Sequence, residues 1–305
     1  MGFKNCIEKQ HRILMEGALG ERLKREYHLN FDNHVAMARL IYDANGRYAL
    51  KSLWQEYIKI AQKYGLPFLA ATPTRRANKE RVEQAGCTSS IIIDNVKFLR
   101  KIQQESNIEM YVGGLMGCKG DAYTGEDALS ESDSRKFHKW QADLFCAAEV
   151  DFLYAGIMPT LPEATGMAQA MSETGLPYII SFTIQKDGKL IDGTAISKAI
   201  AAIDNSVDRK PVCYMTNCVH PSIVCEALSQ TFNQNALVKN RFLGIQANTS
   251  PLSYAELDGS LDLKCSDPTD FAEIMLKLRD ISNIKIFGGC CGTDGKYMEQ
   301  VALRL

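Results

Sequence analysis

The sequence lacks the features that would place the protein in a membrane or on a nucleic acid. No apolar segment approaches the ~18 residues that a membrane-spanning helix needs, and the first ten residues carry scattered charges where a signal peptide would have an apolar core. Cys6 occupies the position that an N-terminal acylation motif fills with Ser or Thr. Lys and Arg number 35 against 36 Asp and Glu, so there is no basic surplus to neutralise phosphates. We therefore expect a cytoplasmic protein that binds neither membranes nor nucleic acids.

The chain also lacks a linker and a dinucleotide-binding motif. No segment rich in glycine and serine, and no block of like charges, divides the 305 residues. The first apolar segment leads into Glu16-Gly17-Ala18-Leu19-Gly20 and not into G-x-G-x-x-G, which disfavours an open doubly wound sheet. Hydrophobic residues make up 46% and charged residues 23%, which is typical of a packed protein. Residues 1–305 are predicted to form a single domain.

Eight apolar segments recur along the chain, separated by stretches of helical periodicity such as the one carrying Leu50, Trp54 and Ile58. Continuous apolar strands between amphipathic helices indicate a parallel sheet covered by helices, and eight repeats over this length favour the α/β fold of a closed (βα)8 barrel. In such a barrel the chemistry lies at the C-terminal ends of the strands. The segments are residues 12–19, 67–74, 109–116, 151–158, 178–184, 211–218, 242–249 and 284–290.

Cysteines end two of these segments. The sixth ends in Cys218, and the eighth ends in Cys290, which is followed directly by Cys291; the pair stands between glycines. Strands six and eight of a barrel are separated by one neighbour, so their ends can converge, and the glycines free the backbone to turn both sulfurs toward one ion. Three thiolates suit zinc and leave a fourth tetrahedral position open for a substrate. The alternatives are that Cys290 and Cys291 are small packing residues or a vicinal disulfide, and that Cys218 is merely buried.

The motifs around these cysteines resemble those of the homocysteine S-methyltransferases. The match comprises GGCCGT at 288–293, TNC at 216–218, MEGALG at 15–20, the segment 175–193 and MP-x-x-x-EA at 158–164. The resemblance implies a (βα)8 barrel with zinc on Cys218, Cys290 and Cys291, and methyl transfer to the thiol of homocysteine, which yields methionine. It also implies that substrate is bound by Glu16, Gly17, Ala18 and Asn248.

Two segments depart from the family pattern. The family places a glutamate that binds the substrate amino group at the end of strand four, where this chain has Ala155, Gly156 and Ile157. Glu163 and Asp121 are candidates to replace it. Strand two ends in a segment with Arg75 and Arg76, which either meet a carboxylate or phosphate of a different substrate or lie on a solvated loop.

The sequence does not identify the methyl donor. The chain has no room for cobalamin or folate modules, so the resemblance favours a sulfonium donor such as S-methylmethionine or S-adenosylmethionine, while a separate corrinoid protein is an alternative partner. Tyr123 and Trp140 are candidates to face a methyl-bearing cation, although aromatic residues there are typically packing residues. His220, which precedes a proline, is interpreted as a helix-entry residue and not a fourth ligand. The alternative of another class is a catalytically silent barrel that stores zinc or senses oxidants through Cys290 and Cys291.

Overall fold

Eight parallel strands close into a barrel in the computed structural model, which describes residues 2–252 and 265–305. Each strand pairs with the next along the chain, and the eighth pairs with the first. Every predicted apolar segment overlaps one strand, with β3 and β6 each running one residue further, so the predicted (βα)8 barrel is confirmed. The strands are β1 (Ile13–Met15), β2 (Phe68–Ala71), β3 (Met110–Gly117), β4 (Phe152–Met158), β5 (Tyr178–Phe182), β6 (Cys213–Val219), β7 (Phe242–Ala247) and β8 (Ile286–Gly289).

Helices follow the strands and cover the outside of the barrel. No helix in the described part of the chain combines the length and apolar character needed to cross a membrane. The helices are α1 (Phe3–Lys9), α2 (Gly20–Arg25), α3 (Ala44–Tyr64), α4 (Lys79–Gln84), α5 (Ser90–Glu105), α6 (Glu131–Ala147), α7 (Leu161–Glu173), α8 (Ile196–Ser206), α9 (Pro221–Leu228), α10 (Ala236–Arg241), α11 (Pro268–Ile281) and α12 (Gly295–Arg304), with a 3₁₀ helix at Met37–Tyr42.

Helix α3 shows how the local sequence sets these boundaries. The side chain of Asp43 accepts a hydrogen bond of 2.7 Å from the amide of Gly46 and so caps the first turn. Gly65 ends the helix in the left-handed region, with φ of 63°, which is the usual glycine cap. Its apolar positions, including Trp54, are buried against the barrel, as their periodicity predicted.

The two ends of the barrel differ in character. Helix α1 closes the N-terminal end, where Phe3 stacks on Phe152 of β4 with ring centroids 4.2 Å apart. Higher in the interior, the hydroxyl of Tyr154 donates to Oε1 of Gln246 across 2.7 Å. The polar groups therefore begin toward the C-terminal end of the strands, which leaves this end for the chemistry.

Two irregular strand ends shape that face of the barrel. The register of β6 against β7 shifts between Asn217 and Val219, and Cys218 between them has φ of 62°. In β4 the register also shifts after Ala155, and Ile157 has φ of 57°. The side-chain oxygen of Asn217 accepts a hydrogen bond from the amide of Ile157 at 3.0 Å and thereby connects the two irregularities. Cys218 is thus a bulged residue inside β6, where the sequence predicted the last residue of the strand.

Candidate metal centre

The three predicted ligands lie together at the C-terminal mouth of the barrel. The Sγ atom of Cys291 lies 3.9 Å from that of Cys218 and 4.0 Å from that of Cys290, and all three sulfurs lie within 4.8 Å of one another. Zinc–sulfur bonds of ~2.3 Å in a tetrahedral site place the sulfurs ~3.8 Å apart. The three side chains therefore fit one tetrahedral ion. Each of the ten cysteines is free, so the alternative of a vicinal disulfide does not describe this state.

Asn248 holds the backbone of the first ligand. Its side-chain amide donates to the carbonyl of Cys218 across 3.0 Å, and its own backbone amide donates to Val219 across 3.1 Å. Positive φ is costly for a residue that has a Cβ atom, so a bulge of this kind needs contacts on both sides of Cys218. The predicted site residue Asn248 thus contacts the backbone of a predicted ligand.

Backbone hydrogen bonds join the turn that carries Cys290 and Cys291 to the end of β7 and to the residues that follow it. The amide of Cys290 donates to the carbonyl of Ala247 at 2.7 Å, and the amide of Thr249 donates to the carbonyl of Cys291 at 3.1 Å. Gly292 completes the turn with φ of 83°, and a Cβ atom there would lie 2.0 Å from Oγ1 of Thr249. Only glycine fits this position without displacing the turn.

Thr293 joins the cysteine turn to the loop after β1. Its hydroxyl donates to the carbonyl of Cys290 at 2.6 Å, while its carbonyl accepts from the amide of Ala18 at 2.9 Å. Gly17 lies beside Tyr57, whose ring would be 2.7 Å from a Cβ atom at that position. The hydroxyl of Tyr57 donates to the carbonyl of Ala18 at 2.8 Å. The predicted substrate loop therefore borders the cysteine turn, and the amide of Ala18 is already paired.

Glu16 is buried below this loop. One of its carboxylate oxygens accepts from the indole of Trp54 at 2.6 Å, and the amide of Ala71 lies 3.2 Å from both oxygens. Burial raises the pKa of Glu16 to about 8, and the two hydrogen bonds oppose that shift. Glu16 is one of the residues predicted to bind substrate, and both of its carboxylate oxygens have hydrogen-bond partners within the protein.

The three thiols differ in how readily they ionise. Hydrogen bonds from Cys290 and Cys291 hold the pKa of Cys218 well below its ordinary value, and the hydroxyl of Tyr123 and the charge of Arg75 act in the same direction. Hydrogen bonding to Cys218 raises the pKa of Cys290 and of Cys291, the latter to about 12. Cys218, the buried member of the cluster, is therefore the thiol that its surroundings favour most for ionisation.

Tyr123 is the residue that sequence reasoning undervalued. Its hydroxyl donates to the sulfur of Cys218 across 3.2 Å, although its position in the loop after β3 suggested a packing residue. Trp140, the other aromatic candidate, packs against the main core from α6. No sequence signal separated the two, since the approach of Tyr123 depends on how its loop folds back.

Three other candidates have structural partners. His220 caps α9, where its side chain accepts from the amide of Ser222, and its other ring nitrogen lies 3.1 Å from Ser266 Oγ, as expected for a helix-entry residue. Glu163 is fully buried and accepts from the amide of Lys119 at 2.7 Å. Asp121 accepts from the amide of Tyr123 at 2.7 Å. Both oxygens of Glu163 accept hydrogen bonds within the protein, whereas Asp121 is exposed and is hydrogen-bonded through Oδ1, so its role in replacing the glutamate stays a prediction.

A model of the family described as homocysteine S-methyltransferase matches residues 13–305. The chain belongs to this family. The resemblance inferred from the cysteine motifs is thereby confirmed, and the family name states the enzyme class that they predicted.

Individual relatives of the homocysteine S-methyltransferase family are distant. The chain is 26% identical to betaine–homocysteine S-methyltransferase 1 of Danio rerio over 188 residues, which cover 58% of this chain. Those residues span 46% of that relative, which is less than half its length.

Solved structures of the homocysteine methyltransferase MmuM from Escherichia coli share the fold. The oxidised form matches with a TM-score of 0.77 at 18% identity and covers 98% of each chain. The metallated form gives the same TM-score and identity with 99% coverage of both, and the apo form gives a TM-score of 0.71. At this identity the likeness establishes the barrel fold alone.

Proposed function

We propose that the chain is a zinc-dependent S-methyltransferase that moves a methyl group from a small-molecule donor to a thiol, with homocysteine, which becomes methionine, as the first candidate acceptor. The observation that carries the proposal is the cluster of Cys218, Cys290 and Cys291, whose sulfurs lie within 4.8 Å at the C-terminal mouth of a barrel of this family. That end of the barrel is where enzymes with this fold carry their reactive groups.

The donor set favours zinc over a hard cation. Three sulfurs form a soft set, and the spacing of the three side chains fits tetrahedral geometry. When bound, zinc lowers the pKa of an incoming thiol and leaves its sulfur nucleophilic at the fourth position. The neighbouring thiols and Tyr123 lower the pKa of Cys218 and so favour its thiolate form, which is the form that binds a metal. Asn248 and Thr293 fix the two backbone segments that present the sulfurs.

Two cavities next to the cluster give room for two substrates. A cavity of about 900 Å³ is lined by Asn248 and Tyr123, together with apolar side chains such as Ile184 and Val219. A second cavity, of about 490 Å³, lies between the loops that follow β2 and β3 and is also lined by Tyr123. Methyl transfer needs the thiol and the methyl carbon in line, so two cavities that meet at one residue suit a reaction between two bound molecules.

Sulfonium compounds are the donors that we propose, because the methyl group they carry needs no protein-bound cofactor. A separate corrinoid protein stays the alternative prediction for the donor. Binding of the thiol by Glu16, Gly17, Ala18 and Asn248 also stays a prediction, in which Asn248 has the additional role of holding Cys218.

The cytoplasm is the compartment that we propose. All ten cysteines are free, and three thiols about 4 Å apart would oxidise readily outside a reducing environment.

The test is a methylation assay on the zinc-loaded protein. Homocysteine is incubated with S-methylmethionine, S-adenosylmethionine or betaine, and products are identified by mass spectrometry. Cys290→Ala removes one ligand, whereas Cys225→Ala is the matched control on α9 outside the cluster. We expect methylated thiol from the unmodified protein and from Cys225→Ala, and none from Cys290→Ala. Equal turnover in Cys290→Ala would contradict the proposal, and bound zinc without any methylation would favour a silent zinc-binding barrel.

A further inference from the structure

The smaller of the two cavities has an unusual concentration of arginine. It lies between the loops that follow β2 and β3, has a volume of about 490 Å³, and is lined by Arg75, Arg76 and Arg81. Tyr123, whose hydroxyl donates to Cys218, also lines it. Tyr123 therefore connects this cavity to the cysteine cluster.

Arg75 is the member that packs against the end of β3. Its side chain crosses Gly117 at the end of β3, where a Cβ atom would lie 2.7 Å from Cγ of Arg75. Its positive charge reaches both Cys218 and Tyr123. Within residues 2–252 and 265–305, its guanidinium makes neither a hydrogen bond nor a salt bridge. An unpaired, half-buried arginine beside a cavity is free to meet an anionic ligand.

The charges of Arg81 and Arg75 repel each other. Arg81 is partly buried and donates to the carbonyl of Lys119 at 3.2 Å. Burial lowers the pKa of Arg81, and the charges of Arg76 and Arg75 lower it further. In the described chain neither Arg75 nor Arg81 forms an ion pair with a carboxylate, and the charges of Glu80 and Asp121 offset only part of this repulsion. An anion between the guanidinium groups would remove the cost.

The acidic residues of the same cavity are engaged or lie at its rim. Glu80 pairs with Lys119 at 3.7 Å, and Asp121 accepts from the amides of Tyr123 and Thr124. The remaining two, Glu126 and Asp127, are exposed.

In the part of the chain that the structure describes, the end of β4 carries Gly156 and Ile157 and offers no carboxylate to an ammonium group. A Cβ atom at Gly156 would face Cδ1 of Leu115 at 2.8 Å. Both oxygens of Glu16 accept from Trp54 or Ala71, and Glu163 is used by Lys119. A desolvated ammonium group needs a charged or hydrogen-bonding partner, and these carboxylates are already occupied.

We propose that Arg75, with Arg81 behind it, binds the anionic group of the acceptor thiol. The acceptor class is then a small thiol that carries a carboxylate or a sulfonate at the end remote from sulfur, and its amino group contributes little. This inference rests on the proposed methyl transfer. It predicts the order of kcat/KM among acceptor thiols.

The kinetic test compares acceptors that differ in one group. The panel is homocysteine, 4-mercaptobutanoate without the amino group, 3-mercaptopropylamine without the carboxylate, 3-mercaptopropanesulfonate and the neutral 3-mercaptopropanol. We expect 4-mercaptobutanoate to approach homocysteine in kcat/KM, and both to exceed 3-mercaptopropylamine by about tenfold or more, as for one charge-assisted contact. Arg75→Gln should raise KM for the anionic thiols by about tenfold more than it raises KM for 3-mercaptopropanol. Arg279→Gln, at an exposed position on α11, is the charge-matched control.

A binding measurement separates this inference from the proposed function. Calorimetry with the thioethers 4-(methylthio)butanoate and 3-(methylthio)propylamine requires neither a free thiol nor turnover. Tighter binding of the carboxylate, lost in Arg75→Gln and kept in Arg279→Gln, supports the subsite even if no methyl transfer is found. Preference for the amine, or equal losses for neutral and anionic thiols in Arg75→Gln, would overturn it.

Discussion

The hydroxyl of Tyr123 lies 3.2 Å from the sulfur of Cys218 and donates a hydrogen bond to it. Cys218 sits at a bulge with positive φ, and its surroundings hold its pKa well below the ordinary value. A hydrogen bond to a thiolate stabilises the ionised form, which is the form that binds a metal. The loop after β3 thereby contributes to a cluster that is otherwise built from β6 and β8.

Replacing Tyr123 by phenylalanine removes this donor and keeps the ring. Residues that hydrogen-bond to metal ligands commonly change metal affinity by about 10- to 100-fold, so we expect Tyr123→Phe to weaken zinc binding within that range. Competition with a chelating dye measures the affinity. Tyr48→Phe, at a side chain that is 70% exposed, should leave the affinity unchanged. Unaltered zinc affinity in Tyr123→Phe would mean that the hydroxyl plays no part in holding the ligand.

Gly292→Ala tests the turn that presents Cys290 and Cys291. Alanine at φ of 83° costs about 1–2 kcal/mol, and its Cβ atom would also collide with Thr249 and displace the turn. We expect a lower melting temperature together with weaker zinc binding.

Gly193→Ala is the matched control for that change. Gly193 has φ of 81°, but a Cβ atom there would find nothing within 4 Å. Gly193→Ala should lower the melting temperature by a similar amount and leave the zinc affinity unchanged. If both variants bind zinc as tightly as the unmodified protein, contact between Gly292 and Thr249 does not govern the position of the cysteines.

Glu16 predicts a pH dependence of stability. Its pKa is about 8 in the folded protein and 4.5 ordinarily, so between these values the folded state binds a proton that the unfolded state has released. Raising the pH through this window therefore lowers the free energy of unfolding, by about 3 kcal/mol between about pH 5.5 and 8.5. Above the folded pKa this contribution no longer changes.

Urea unfolding of the metal-free protein at the two pH values measures this effect. Glu16→Gln should lack the decrease, because it has no proton to release. Glu273→Gln, at an exposed position on α11, should retain it. Parallel pH dependence in the unmodified protein and in Glu16→Gln would show that Glu16 does not titrate as described.

The sequence was sufficient for the barrel and for the cysteine cluster. Strands buried on both faces are continuous apolar segments, so residues such as 178–184 could be recognised without any alternation of polar residues. Once the order of strands was known, convergence of Cys218 with Cys290 and Cys291 followed from the closure of the barrel.

The bulge and the loops could not be predicted in the same way. Positive φ at Cys218 is imposed by Asn248 and by the register of β6 on β7, not by a preference of cysteine. The position of Tyr123 depends on Glu163, which accepts from the amides of Lys119 and Leu129 at the two ends of the loop. These contacts join residues far apart in the chain, and no local pattern records them.

X-ray absorption at the zinc edge tests the central claim most directly. The protein is loaded with zinc and measured before and after addition of homocysteine, with Cys290→Ala as the comparison. The account predicts three sulfur ligands and one lighter atom without the thiol, and four sulfurs at ~2.3 Å once the thiol is present. A shell that does not change on addition of the thiol, or zinc bound with fewer than three sulfurs, would contradict a thiol-activating site at Cys218, Cys290 and Cys291.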